Sequence, residues 1–174
     1  MNEKNIDALA ATHIKTPIGL LQLAAGEEGL VAVVFPNETR RSYAKAKGPI
    51  AAQMHLNKTV TALEEYFAGT RQDFSDLTLA PSGTAFQLSV WQQLIKIPFG
   101  VTKSYGDIAH AIDNPKGVRA VGLANGKNPI PIIVPCHRVI GANGTLTGFG
   151  GGLPTKKWLL QHEGVTTPSL FQAV

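Results

Sequence analysis

Between Asn128 and Pro135 the chain reads Asn-Pro-Ile-Pro-Ile-Ile-Val-Pro, with prolines at 129, 131 and 135. Each proline fixes its own φ and removes a backbone donor. Each also pushes the residue before it toward extended backbone. A helix cannot run through such a stretch, and its side chains are almost all apolar, so a rigid, buried, non-helical segment is expected. It delivers the chain to Cys136-His137-Arg138-Val139, and Cys136 is the only cysteine in the sequence. A rigidly presented thiol beside an imidazole is one way to make a soft nucleophile. Taken by itself, Cys136 is equally compatible with a small core residue that only packs.

One cysteine excludes an internal disulfide, and a free thiol suits a reducing cytoplasm, the expected location. It also excludes cysteine-rich zinc sites. The five histidines, at 13, 55, 110, 137 and 162, show no ligand spacing, so neither a metal nor a cofactor is expected. No run approaches the roughly eighteen apolar residues of a membrane span. The N-terminus, Met1–Asp7, is polar and lacks the apolar core of a secretory signal. The length suits one large or two small domains with a real core. The net charge of +4 is unevenly placed: residues 100–174 carry seven Lys+Arg against three Asp+Glu, while residues 1–99 balance at nine each. That asymmetry points weakly to a polyanion, and an ordinary solvated basic surface accounts for it equally well.

The N-terminal half reads as a scaffold. His13–Ala25 gives two short strands broken by Pro17-Ile18-Gly19, Gly26–Gly29 gives a turn, and Leu30–Phe35 a third strand, so an antiparallel meander is expected. Residues 50–67 have helical spacing, with Met54, Val60, Leu63 and Phe67 as the apolar positions and Gly69 as the stop. Segment 70–83 reads as a linker. The fold expected is α+β: a small antiparallel sheet with a helix over residues 1–80, and a helical domain with a helix-turn-helix and an active-site loop over 81–174.

In the second half, Thr84-Ala85-Phe86-Gln87 has the form of a capping box. The helix it opens carries Phe86, Val90, Leu94 and Trp91 or Ile95 toward the core, and Pro98-Phe99-Gly100 stops it. Ser104-Tyr105-Gly106-Asp107 is a second capping pattern. Asn114-Pro115 then suggests a cap and first turn for a helix from Lys116 to Asn125, ended by Gly126. Two short helices joined by a tight turn suggest a helix-turn-helix, although any helical hairpin produces this pattern. The second helix is unusual for a major-groove reader. Gly117, Ala120, Gly122 and Ala124 are small, and only Lys116, Arg119 and Asn125 are long or polar. Small residues allow close approach, either of a duplex minor groove or of a neighbouring helix. Arg119 could fill a base stack, contact phosphate, or sit in a surface ion pair. Lys103 is read as solvent-exposed. The glycine-rich stretch 145–152 lacks the surroundings of a phosphate cradle and fits better as a pocket wall with Phe149 as its flat face. Residues 154–163 form a last helix, with Trp158, Leu159 and Leu160 facing the core.

Taken together, Ile97-Pro98-x-Gly100, Ser104-Tyr105-Gly106-x-Ile108-Ala109, Arg119-Ala120-Val121-Gly122, Asn128-Pro129, Pro135-Cys136-His137-Arg138-Val139 and Leu159-Leu160-x-His162-Glu163-Gly164 resemble the O6-alkylguanine-DNA alkyltransferases. The resemblance covers about 80 residues and is loose in the N-terminal half, where Thr16-Pro17-x-Gly19 matches. It implies a single-use repair protein that flips an O6-alkylguanine out of double-stranded DNA and moves the alkyl group to Cys136. By the same resemblance His137 is a base acting through water, Glu163 orients it, and Asn128 braces the loop. Tyr105 protonates the departing guanine and Arg119 fills the vacated stack. Ser104, Lys116, Ala120 and Gly122 are the further DNA-facing candidates, and Pro135, Val139, Phe149 and Gly150 line the base pocket. O4-alkylthymine stays open as a second substrate. A monomer is implied, whether or not copies line up side by side on DNA. Many relatives have Tyr at Phe149, and often a larger residue at Gly117 and Gly150.

The chemistry agrees with these roles. A free thiol has a pKa of about 8.5, so a neutral solution holds little thiolate without a base or a positive field. Guanine departs poorly as an anion unless a group such as a phenol protonates it. Two other readings compete. A non-catalytic lesion-binding module would lack the cysteine. A cysteine hydrolase needs an oxyanion hole and a cysteine and histidine from distant segments.

Overall fold

The computed structural model describes residues 9–39, 41–44 and 46–166; the polar Met1–Asp7 stretch lies outside them. The chain divides into two compact units, Met1–Ser82 and Gly83–Val174.

The first unit is an antiparallel meander covered by one helix. β1 (Ala10–Thr16), β2 (Gly19–Gly26) and β3 (Gly29–Val34) pair in sequence order. Alternation fails on β2 because its second half, Leu21 to Ala25, is buried on both faces as the central strand. α1 (Ile50–Phe67) packs on all three strands. Its buried stripe is Ala52, Leu56, Thr59, Ala62, Leu63 and Tyr66. The stripe is therefore turned from the expected one: Leu63 belongs to it, but Met54 is 67% exposed. Ala52 and Ala62 are buried on the packed face, and the position that periodicity assigns to Met54 faces solvent.

Residues 70–80 are not a linker. Leu30 N–H donates to Thr78 O at 2.9 Å and Ala80 N–H to Leu30 O at 2.8 Å, which closes the edge of β3. Arg71 bridges Glu65 of α1 at 2.7 Å and Asp76 at 2.6 Å, tying the segment back to the helix.

The second unit is helical. α2 (Ala85–Ile95) starts with the capping box expected from Thr84 and Gln87. It buries Val90, Trp91 and Leu94, while Ile95 is half exposed. Trp91 Nε1 donates to Ala124 O at 2.9 Å, fixing α2 against α4. β4 (Lys103–Ser104) leads directly into α3 (Tyr105–Ala111), whose capping box pairs Ser104 with Asp107. α4 (Val118–Gly126) begins later than the sequence suggests. Asn114 does not cap it; Gly117 N–H donates to Asn114 O at 2.8 Å, so Asn114–Gly117 is a turn and Lys116 lies ahead of the helix. β5 (Val139–Ile140) pairs in parallel with β4, Lys103 opposite Val139 and Ser104 opposite Ile140. This short ladder sets the start of α3 beside the residues that follow Cys136. α5 (Leu153–His162) buries Lys156, Leu159 and Leu160. Trp158 is only half-buried and stacks on His162 with ring centroids 4.9 Å apart, a correction to its expected core position.

Candidate active site

The proline-rich segment is buried throughout, from Asn128 to Pro135. Asn128 holds it from inside: its Nδ2 donates to Val134 O at 2.7 Å and its Oδ1 accepts from Ile130 N–H at 3.0 Å. Ile132 takes a φ of +76°. A β-branched residue occupies that region at a cost of about 1–3 kcal/mol, so the surrounding contacts must hold the bend. Pro135, at φ −80° and ψ 63°, is the centre of an inverse γ-turn closed by Cys136 N–H to Val134 O at 2.7 Å. Proline presets that φ. The turn launches a single 3-10 turn, Cys136–Arg138.

His137 and Arg138 then reach the same carboxylate. Glu163, at the C-terminus of α5, is 4% exposed. His137 Nε2 lies 2.8 Å from its Oε1. Arg138 Nε donates to Oε2 at 2.8 Å and Nη2 to Oε1 at 3.0 Å, a bidentate fork. Arg138 Nη1 donates to Ile97 O, and the guanidinium lies over the Phe99 ring, 5.9 Å from its centroid. Gly100 N–H donates to Glu163 Oε2 at 3.3 Å. The chain around Ile97–Gly100 thus closes the cluster that the Cys136 turn and α5 begin.

Burial alone would raise the Glu163 carboxyl, but hydrogen bonds from His137 and Arg138 more than reverse this and hold it well below the usual carboxylate range. Burial lowers the His137 imidazole below its ordinary 6.5, despite Glu163. The ring is therefore neutral, and Arg138 is the cation that keeps Glu163 ionised. An ionised carboxylate beside Nε2 requires the proton there, which leaves Nδ1 as the basic nitrogen. That Nδ1 is buried without a hydrogen-bond partner among the described residues. Burial pushes the Cys136 thiol up, and the Asn128 side chain, the Lys156 charge and nearby backbone N–H groups only partly offset it. The resting sulfur is a neutral thiol that needs a base.

Tyr105 is half-buried at the start of α3, and its phenol accepts a hydrogen bond from Thr147 Oγ1 at 2.9 Å. Burial raises its pKa above 10.0. Gly122 faces the Tyr105 ring, so this small residue of α4 serves the α3–α4 contact. Arg119 and Ala120 are exposed on α4, as is Lys116 ahead of it. Val139 is buried beside Cys136, Phe149 is half-buried, and Gly150 is exposed with open space where a side chain would project. Among the described residues no cluster of ligating side chains could hold a metal. None of their helices is long and apolar enough to cross a membrane.

Residues 85–165 match the family described as 6-O-methylguanine DNA methyltransferase, DNA binding domain, and residues 9–81 match its ribonuclease-like domain. The chain belongs to the 6-O-methylguanine DNA methyltransferase family. It is 50% identical over 153 residues to a methylated-DNA–protein-cysteine methyltransferase of Methanosarcina mazei, covering 86% of this chain and 94% of the relative. A protein of the same name from Haemophilus influenzae is 42% identical over 160 residues, covering 90% and 87%. The crystal structure of Mycobacterium tuberculosis OGT in complex with DNA superposes with a TM-score of 0.80 at 43% identity, covering 94% of this chain and 99% of that one. The α+β architecture is that of the family, and the chain is a methyltransferase enzyme.

Two side chains at the site of this methyltransferase are not among the residues that the sequence motifs point to individually. Lys156 is fully buried, and its Nζ donates to Val139 O at 2.6 Å and Thr147 O at 3.1 Å. Burial draws its ammonium down to about 8. Its place three and four residues before Leu159 and Leu160 is the available signal, because those spacings share one helix face. Arg138 stands in the sequence only as part of the cysteine motif, and nothing local announces its partner 25 residues away.

Proposed function

We propose that this chain reverses DNA damage by moving the O6-alkyl group of guanine in double-stranded DNA onto Cys136, once per protein molecule. The observation that carries the proposal is the buried 2.8 Å contact between His137 Nε2 and Glu163 Oε1, one residue from the only cysteine, which leaves Nδ1 as the nitrogen able to take a proton. In this reading His137 Nδ1 takes the thiol proton through a water. The sulfur attacks the alkyl carbon, the S–C bond forms, and the C–O6 bond breaks with its electron pair passing to guanine. Tyr105 gives the proton that neutralises the base. The product is a thioether, which nothing in the site is built to hydrolyse, so the protein is consumed.

Asn128 braces the nucleophile's segment, and Glu163 fixes the base's tautomer. Arg119 enters the duplex to replace the extruded nucleotide, with Ala120 beside it on α4 and Ser104 and Lys116 near phosphate. Flipping costs a few kcal/mol, least for a mispaired, modified base. Pro135, Val139, Phe149 and Gly150 receive the base. The reaction needs a reduced thiol, which suits a cytoplasmic location. The DNA-bound Mycobacterium tuberculosis structure supports DNA as the partner. A lesion-binding module without transfer is the weaker reading, because it has no use for a thiol beside a tuned imidazole.

The test is stoichiometry. Duplex DNA with a labelled O6-methyl group should transfer one label per chain and then stop, with excess substrate left. Continued release of label as methanol, or no transfer from damaged DNA, would reject the proposal.

A further inference from the structure

Thr147 is pinned at both ends. Its carbonyl accepts from the buried Lys156 Nζ at 3.1 Å, and the same nitrogen donates to Val139 O at 2.6 Å. Its hydroxyl donates to the Tyr105 phenol oxygen at 2.9 Å. The glycine-rich loop is thereby tied through one side chain to the backbone just after Cys136, and through another to the phenol at the start of α3. The β4–β5 pairing connects the same two regions through the backbone.

We infer that Thr147 is a positioning residue for alkyl transfer, holding the Tyr105 phenol oxygen as an acceptor so that its O–H is directed at the departing base. A phenol has one proton to donate and two lone pairs. With Thr147 on a lone pair, the proton is free for the leaving guanine. When that proton goes, the phenol becomes a phenolate, and the existing Thr147 hydrogen bond strengthens because its acceptor is now charged. The interaction is thus worth more after proton transfer than before it, which is the requirement for lowering a barrier. Solvent restores the Tyr105 proton later. The inference rests on the proposal that Tyr105 protonates the base, and it adds a residue that the motifs of the sequence do not single out.

Single-turnover transfer from O6-methylguanine duplex DNA, measured at saturating protein, tests it with four variants. Thr147→Val keeps the shape and loses the donor, and should slow transfer about tenfold, the difference between a hydrogen bond to a charged and to a neutral acceptor. Thr147→Ser should restore most of the rate. In the Tyr105→Phe background the Thr147→Val change should have little further effect, and affinity for damaged DNA in a Cys136→Ala background should be unaltered. Full activity of Thr147→Val beside a slow Tyr105→Phe would overturn the inference and leave the Tyr105 role standing. A tenfold loss that persists in the Tyr105→Phe background would make Thr147 a loop residue only. Full activity of Tyr105→Phe would remove the Tyr105 role and this inference together.

Discussion

His137 Nε2 and Glu163 Oε1 are 2.8 Å apart with both side chains wholly buried. The same carboxylate also takes the Arg138 fork, so one negative charge orients a base and neutralises a cation. Removing one member of a buried charge pair leaves the other uncompensated, at a cost of about 3–5 kcal/mol. Glu163→Gln should therefore lower unfolding free energy by about that much in urea titration and also abolish fast transfer. A variant as stable as the parent would contradict this account of the cluster.

The direction of the His137 shift fixes an acid limb. Because burial places its folded pKa below 6.5, the neutral base persists as pH falls past that value. With DNA saturating, the transfer rate should change little from about pH 7.5 to 6.5 and fall only below it. Stability follows the same sign. The unfolded chain takes up a proton on His137 first, so this contribution is complete above 6.5 and is lost as pH falls through the folded value. Glu163, also shifted down, adds a second loss that begins below its ordinary 4.5. A rate already halved at pH 6.5, or stability that rises on acidification, would be inconsistent with a buried neutral imidazole.

Gly100 has a φ of +73°, and a Cβ there would sit 2.8 Å from Glu163 O. Both the backbone and the space demand glycine. Gly100→Ala should cost about 1–3 kcal/mol and lower the transfer rate, since its N–H also holds Glu163. Thermal unfolding together with single-turnover assays would check it; an Ala variant indistinguishable from the parent would show that α5 ends with more room than the structure gives it.

Much of this is legible in the chain. Thr84 with Gln87 and Ser104 with Asp107 announce two helix starts, because a hydroxyl and a carboxyl or amide three residues apart satisfy each other's backbone donors. The meander follows from turn residues between apolar runs. Other features depend on distant partners. Periodicity misplaces Met54 because the packed face of α1 mixes small Ala52, Thr59 and Ala62 with Leu56, Leu63 and Tyr66, so apolar bulk alone does not trace it. Residues 70–80 look like a linker until their backbone is seen pairing with Leu30. Asn114 has the chemistry of a cap, yet Gly117 occupies the N-cap position of α4. The burial of Lys156 is hidden because a lysine is ordinarily solvated, and only two carbonyls supplied by other segments make its burial tolerable.

Arg119 is exposed on α4. If it replaces the flipped nucleotide, Arg119→Ala should slow repair of duplex DNA by about tenfold or more while reaction with free O6-benzylguanine stays within about twofold. Rates on the two substrates would be measured side by side. Equal losses on both would refute the role.

Every step of the proposed reaction depends on the sulfur of Cys136 becoming the alkyl acceptor. Incubation with duplex DNA carrying O6-methylguanine, followed by digestion and mass spectrometry, reads this directly. The peptide containing Cys136 should carry one methyl group in place of the thiol hydrogen in every reacted chain. An unmodified Cys136 peptide after full contact with that DNA, or a methyl group on any other residue, would contradict it.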